Sequence, residues 1–386
     1  MPGFEVIGQE EFEQVKQVFE SGGVLFRHGF DDRRNGVYKV RDFEEAFARK
    51  MEVEHALAVT SGTAALRVAL AGISVGPGDE VITQAFTFVA TVEAIIEAGA
   101  TPIVTEVDST LNMDPEDLER RITPETKAII VVHMLGIPCR LGEISAIARE
   151  RGITLIEDTA WGCGGLYQGR RLGTYGDIGT FSFDFAKTMT TGEGGMVVTS
   201  NSEIAERVRA WHDHGHENNP DLPRWIDSRS GSGFNYRMSE LQGAVGLAQL
   251  EKLAGVLDSQ RRNKRTLKHA ISSLDGITLR SVPDGSEETA DALVFYVDDH
   301  ETALRCRERL VDAGVGTKIL PEAITWHFAG TWTHMPSLVA AHGGDLASAF
   351  PISRELLGRA VALPIGVAMA DDLPDRILAA LGEAMG

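Results

Sequence analysis

The stretch KAIIVVHMLGIPCRLGEISAIARERGITLIED, residues 127–158, decides the fold. Two apolar runs, 127–134 and 153–158, flank a helical segment, 141–152, that Gly152 closes. Strand, helix, strand with no polar alternation in the strands is the pattern of a parallel sheet covered on both faces. The rhythm continues outward in both directions. HALAV (55–59), EVITQ (80–84) and TPIVTEV (101–107) read as earlier strands, with helices from near Thr63, over 89–98 and over 115–122. IGTFSFD (178–184) and GMVVTS (195–200) read as later strands. Before them, Phe12, Val15 and Phe19 are spaced as on one helix face, and Phe43, Phe47 and Met51 repeat that spacing. After residue 238 the pattern changes to one long helix (238–258), the short runs ITLRSV and ALVFYVDD, a helix at 301–313 and a Trp-rich loop at 325–334. The expected architecture is α/β: a large domain, residues 1–245, with a mostly parallel seven-stranded sheet, and a smaller C-terminal α+β domain, residues 246–386. SRSGSGF (228–234) reads as a mobile surface loop.

Composition narrows the function. Hydrophobic residues make 43% of the chain and charged ones 24%, which excludes a disordered or fibrous protein. The net charge of −19 argues against nucleic acid and anionic membranes as partners. Cys139, Cys163 and Cys306 are far apart and odd in number, so neither a zinc spacing nor a disulfide framework is present, as suits a reducing cytoplasm. The acidic opening MPGFEVIGQEEFEQVKQVF lacks the form of a signal peptide, and no run of about 18 apolar residues suggests a membrane span. Walker, dinucleotide, zinc-protease and serine-hydrolase motifs are missing from the sequence.

Three segments carry chemistry. SGTAAL (61–66) joins a strand to a helix, so its small residues and Thr63 make either a phosphate cradle or a plain turn capped by Ser61 or Thr63. Glu157-Asp158 ends an apolar strand, where open α/β sheets bind ligands; a solvated acid or helix cap is the plainer reading. Lys187 follows Phe181, Phe183 and Phe185 and precedes Gly192-Glu193-Gly194-Gly195. Apolar surroundings lower an amine's pKa, and a neutral amine is what a Schiff base to a carbonyl needs; an exposed lysine after a strand is the alternative. Together, a phosphate cradle, an anion and a neutral lysine meet the needs of pyridoxal phosphate.

The order SGTAAL, QAFTFVAT, IEDTA, FSFDFAKTMTTGEGG, GFNYRMSELQGA resembles the sugar aminotransferases of the DegT type, which share the aspartate-aminotransferase-like fold (fold type I) of pyridoxal-phosphate enzymes. The likeness is strong over about residues 25–260 and looser beyond. It implies Lys187 as the aldimine lysine, Asp158 on the pyridine nitrogen, Phe88 stacked on the ring, and Thr63, Ala64 and Ser182 on the phosphate. It implies that Asn235 reaches the phosphate of the neighbouring subunit, so that the active sites are shared in a homodimer. Taken alone, Phe88 also reads as a core aromatic and Asn235 as a turn residue. Two positions depart from the family: Trp161 stands where many members have His or Gln near the ring oxygen, and Asp184 replaces a frequent His. Lys187 itself is intact, unlike in the dehydratase branch, where histidine replaces it.

Around this core, His214, Arg237 and His327 are candidate substrate contacts. Arg27 and His28 are candidates for a substrate phosphate or carboxylate, and with Arg237 they read equally as surface ion-pair partners. His212, His214 and His216 suggest a metal only weakly, and none is expected. The implied reaction moves an amino group from glutamate or glutamine to a keto- or aldehydo-sugar, as in lipopolysaccharide amino-sugar biosynthesis. The opening MPGFE, the DHGH run (213–216) and the TWH loop resemble most the branch acting on 8-oxo-3,8-dideoxyoctulosonate. Nucleotide-linked keto-sugars, cyclitol or aminoshikimate-type ketones, and a non-catalytic regulatory role stay open.

Overall fold

The computed structural model describes residues 1–219, 221–322 and 324–386. At its centre is a seven-stranded sheet with the strands, from edge to edge, His55–Val59, Gly195–Thr199, Ile178–Ser182, Thr154–Asp158, Thr126–Val132, Glu80–Gln84 and Thr101–Thr105. Every neighbouring pair is parallel except the two that Gly195–Thr199 makes, so this strand alone runs against the others. The five residues of Ile178–Ser182 and of Gly195–Thr199 are all buried, which is why these strands are apolar without alternation. One face of the sheet packs against helices Gly62–Gly72, Val89–Glu97 and Ser202–Trp211 through Ala65, Val68, Ile95 and Val208. On the far side, Phe43 and Phe47 of helix Lys39–Met51 meet Phe181 and Phe183, with Phe47 and Phe181 edge to face at 5.0 Å.

The long helix is Glu240–Ile271, 32 residues, rather than 238–258. Its charged second half hides the continuation in the sequence. Leu253, Val256, Leu257, Gln260, Lys264, Leu267 and Ile271 keep a buried stripe while Arg261, Arg262 and Arg265 stay outside the core. Residue 245 lies within this helix, so one uninterrupted element runs from the large sheet to the C-terminal region. There, strands Thr278–Leu279, Ala292–Tyr296 and Ala360–Pro364 form a small antiparallel sheet packed on helices His300–Asp312 and Leu373–Met385.

At the N-terminus, helix Gln9–Glu20 buries Glu11 and Val18. The stripe Phe12–Phe19 faces outward instead, with Phe12 60% and Phe19 58% exposed. Among the described residues, no helix is long and apolar enough to cross a membrane. The three cysteines are buried and unpaired.

Candidate active site

The parallel strands end along one edge, and their carboxyl ends feed one cavity of about 330 Å³. Strand His55–Val59 runs into Ser61 and helix Gly62–Gly72; strand Thr154–Asp158 ends on Asp158; strand Ile178–Ser182 ends on Ser182 and leads to Lys187. Thr63, Phe88, Asp158, Trp161, Ser182, Lys187 and His327 all line it. The topology thus brings together segments more than 120 residues apart in sequence, which strand-end placement predicts.

At the lysine, Nζ lies 3.4 Å from the centroid of the Trp161 ring. Burial pulls the amine down to about 8, against the opposing pull of Asp291, while the Lys318 cation lowers it further. The apolar wall is not the one expected from the sequence. Phe181 and Phe183 point to the opposite side of the sheet, into the cluster with Phe43, and Phe185 is half exposed. Strand alternation sends the phenylalanines away; Trp161, from the turn after Asp158, covers the lysine. The turn itself is held from outside: the Gly3 amide donates to the Lys187 carbonyl at 3.0 Å. A Cβ on Gly3 would sit 2.9 Å from backbone atoms of Met189 and Thr190, so only glycine lets the N-terminal segment approach this closely. Nothing in the sequence announces this contact.

Asp158 is 5% exposed. Thr91 Oγ1 donates to its Oδ2 at 3.0 Å, and the Ala160 amide donates to its Oδ1 at 3.1 Å. Burial nonetheless raises its pKa, outweighing both donors and the more distant Lys187 and His133. A buried carboxylate in that condition gains from a cationic ligand at its free edge. Glu157, one residue back, faces the other side of the strand and is fully engaged. It accepts from the Gly173 and Gly176 amides, each at 2.8 Å, and lies 3.0 Å from His133 Nε2.

At the other end of the cavity, Ser61 caps helix Gly62–Gly72, its Oγ accepting from the Ala64 amide at 3.1 Å. The Ala65 amide donates to the Ser61 carbonyl. Ala64, expected on the phosphate, lies outside the cavity lining with its amide on the Ser61 cap. Gly62 and Thr63, both in the lining, carry the other two first-turn amides. Gly62 packs so closely on Ser182 that a Cβ would lie 2.7 Å from the serine Cβ, which brings the Ser182 hydroxyl beside the helix start.

The remaining candidates lie elsewhere. Asn235 is exposed and outside the lining, its Oδ1 accepting from the Arg237 amide at 3.3 Å. His214 is exposed in a left-handed turn. Arg237 and Arg224 both pair with the buried Asp213, and His28 Nε2 stands 3.3 Å from the same carboxylate. Arg27 forks onto Glu44 at 2.9 and 3.0 Å and also holds the Ala58 carbonyl. Arg27, Arg224 and Arg237 are thus paired within the chain, and His28 stands beside Asp213 with burial holding its pKa below the usual histidine value. Among the described residues no group of His, Cys, Asp and Glu is placed to hold a metal; His212 Nδ1 contacts the Arg209 carbonyl and His216 contacts Asp227.

An amine of lowered pKa, a buried carboxylate short of positive charge and a helix start with open amides are the complement of pyridoxal phosphate's aldehyde, ring nitrogen and phosphate. The residues present therefore fit that cofactor. The comparisons agree. Residues 6–382 match the DegT/DnrJ/EryC1/StrS aminotransferase family. The spore coat polysaccharide biosynthesis protein SpsC of Bacillus subtilis is 32% identical over 98% of this chain and 95% of its own. GDP-perosamine synthase of Caulobacter vibrioides is 41% identical over 57% of this chain and 58% of its own. Among solved structures, an aminotransferase from Psychrobacter cryohalolentis superposes with a TM-score of 0.86 at 27% identity, covering 98% of this chain and 96% of that one. The chain belongs to the DegT/DnrJ/EryC1/StrS aminotransferase family and is a pyridoxal-phosphate-dependent aminotransferase.

Proposed function

We propose that this enzyme transfers an amino group from glutamate or glutamine to a keto- or aldehydo-sugar. The observation that carries the reading is the pairing, in one cavity, of the depressed Lys187 amine with the under-neutralised Asp158 carboxylate. Bound pyridoxal phosphate supplies an electron sink for the substrate carbon. Lys187 Nζ is the attachment point for its aldehyde and afterwards the group that moves the proton at the donor's α-carbon. Asp158 sets a negative charge against the ring nitrogen. The Gly62 and Thr63 amides with the Ser182 hydroxyl bind the phosphate, Phe88 covers one ring face, and Trp161 keeps water from the lysine.

For the acceptor, the MPGFE opening and the DHGH and TWH segments favour 8-oxo-3,8-dideoxyoctulosonate. A second reading, a nucleotide-linked keto-sugar, is favoured by the GDP-perosamine synthase relative. Asn235 completes the phosphate site of a second copy, and the exposed Phe12 and Phe19 on the N-terminal helix support a homodimer partner. The test is a half-reaction. The cofactor-loaded enzyme mixed with glutamate, or with glutamine, should lose its visible or near-ultraviolet lysine-linked absorbance and release one equivalent of the keto acid. A panel of keto- and aldehydo-sugars should then restore it. A spectrum unmoved by both donors would refute the reading.

A further inference from the structure

We infer that Trp326 is a specificity-determining residue: backed by Phe88, its indole offers its outer face, at the mouth of the Lys187 cavity, as the platform on which a flat face of the acceptor stacks. The inference rests on the aminotransferase reading and deepens it. Trp326 is 61% exposed and Phe88 38% exposed, yet their rings lie nearly parallel, 10° apart with centroids at 6.3 Å. Phe88 and the next residue along, His327, both line the cavity, and their rings are 5.4 Å apart. Trp326 therefore stands directly outside the lining.

An indole left in water is costly unless something covers it. A side chain exposed by looseness would sit on a loose segment, and this one does not. The Trp332 indole N–H donates to the Thr325 carbonyl at 2.8 Å, and the Thr331 hydroxyl reaches the same carbonyl at 3.3 Å. The His327 amide donates to the Ile324 carbonyl, the Thr87 amide to the His327 carbonyl at 3.0 Å, and the Ala329 amide to the Ala85 carbonyl at 2.9 Å. Phe328 and Trp332, which follow Trp326 in the chain, are fully buried. The backbone around Trp326 is thus pinned to the Ala85–Phe88 turn, and the ring is presented rather than stranded. A pre-positioned ring loses little conformational freedom when a ligand stacks on it, which makes it an effective binding group. The chemistry it recognises is a flat, uncharged face: the C–H side of a sugar ring or the plane of a nucleobase.

The test uses the full-length, cofactor-loaded enzyme and two probes, 3-deoxyoctulosonate and GDP. Each is titrated to about 10 mM, enough to fill a millimolar site. Tryptophan fluorescence and equilibrium dialysis are read on wild type, Trp326→Phe and Trp326→Ala. Quenching that is present in wild type and lost in Trp326→Phe, with binding weakened about tenfold in Trp326→Ala, is the expected result for one stacked ring. Quenching by the sugar acid alone assigns the platform to a sugar ring, and by GDP alone to a base. Once the acceptor is in hand, Trp326→Ala should raise its KM about tenfold while kcat moves little, with Trp326→Phe recovering most of the loss. Neither probe quenching wild type, equal binding in all three proteins, or an altered oligomeric state in place of altered binding would overturn the inference. Wild-type reduction by glutamate, run alongside, separates this failure from failure of the aminotransferase reading.

Discussion

Two charged regions of this molecule are built on opposite principles. Around Asp213, one fully buried carboxylate receives Arg224, Arg237 and His28. Burial alone would raise its pKa, but the His28 imidazole and the two guanidiniums hold the carboxyl far below the usual range. In the Lys187 cavity, Asp158 accepts from a hydroxyl and an amide, with Lys187 and His133 farther off, and burial outweighs them and raises its pKa. The first region is balanced within the chain. The second is left short of charge, and a bound cation is what it lacks. Density of charged residues is therefore a poor guide to a site; the balance within each cluster is the better one.

The sharpest way to break the comparison is at Lys187. Lys187→Ala should lower turnover by about 10³-fold or more, since both attachment and proton transfer are lost, while urea unfolding of the apoprotein stays near wild type. Normal turnover in this variant would remove the chemical basis of the cavity. Asp158→Asn should cost about 10²-fold in turnover, the ring nitrogen losing its counter-charge. The same change should leave the cofactor-free chain at least as stable, because a poorly neutralised buried charge is gone. A clear loss of apoprotein stability at neutral pH would mean that Asp158 is as satisfied as Asp213.

A third measurement follows the amine. Its pKa of about 8 means that the neutral, reactive form grows as pH rises through 8 rather than through the usual range of a lysine. The rate at which apoprotein captures pyridoxal phosphate should rise about tenfold from pH 7 to pH 9 and then level off. A rate still climbing above pH 10 would place the lysine in water. In the balanced region the expected effect is on stability. Asp213→Asn leaves Arg224 and Arg237 without their partner and should destabilise by about 2 kcal/mol in urea unfolding, less than for a fully buried pair because Arg224 is partly exposed. Stability within error of wild type would show the cluster to be dispensable.

Much of this was legible in the sequence, for a physical reason. Buried parallel strands are unbroken apolar runs, so strand ends, and with them Asp158, Ser182 and Lys187, can be located before any coordinates. The choice between Glu157 and Asp158 depends on strand alternation, which the family pattern resolved and the Gly173 and Gly176 amides on Glu157 explain. What escaped were contacts between segments with no shared period. The phenylalanines before Lys187 face away from it, and no pattern ties Gly3 to the Lys187 turn, whereas the Ser61 cap and the ion pairs of Arg27, His28 and Arg237 are the plainer readings their segments also offer. The exposed stripe at Phe12 and Phe19 has a helical period, but period says nothing of which face meets the core.

Gly3 is the subtlest of the unannounced contacts and gives the smallest expected effect. Its amide ties the N-terminal segment to the Lys187 carbonyl, and its missing side chain is what permits the approach to Met189 and Thr190. Gly3→Ala forces a Cβ into backbone that cannot swing aside as a flexible side chain would, so the segment must lift and the hydrogen bond must go. About 1 kcal/mol of stability should be lost. More telling, amide hydrogen exchange over residues 187–190 should quicken and the cofactor should leave severalfold faster, with the glutamate half-reaction otherwise intact. If exchange and cofactor release match wild type, the opening segment merely rests on the Lys187 turn, and the stiffness of that turn comes from the sheet alone.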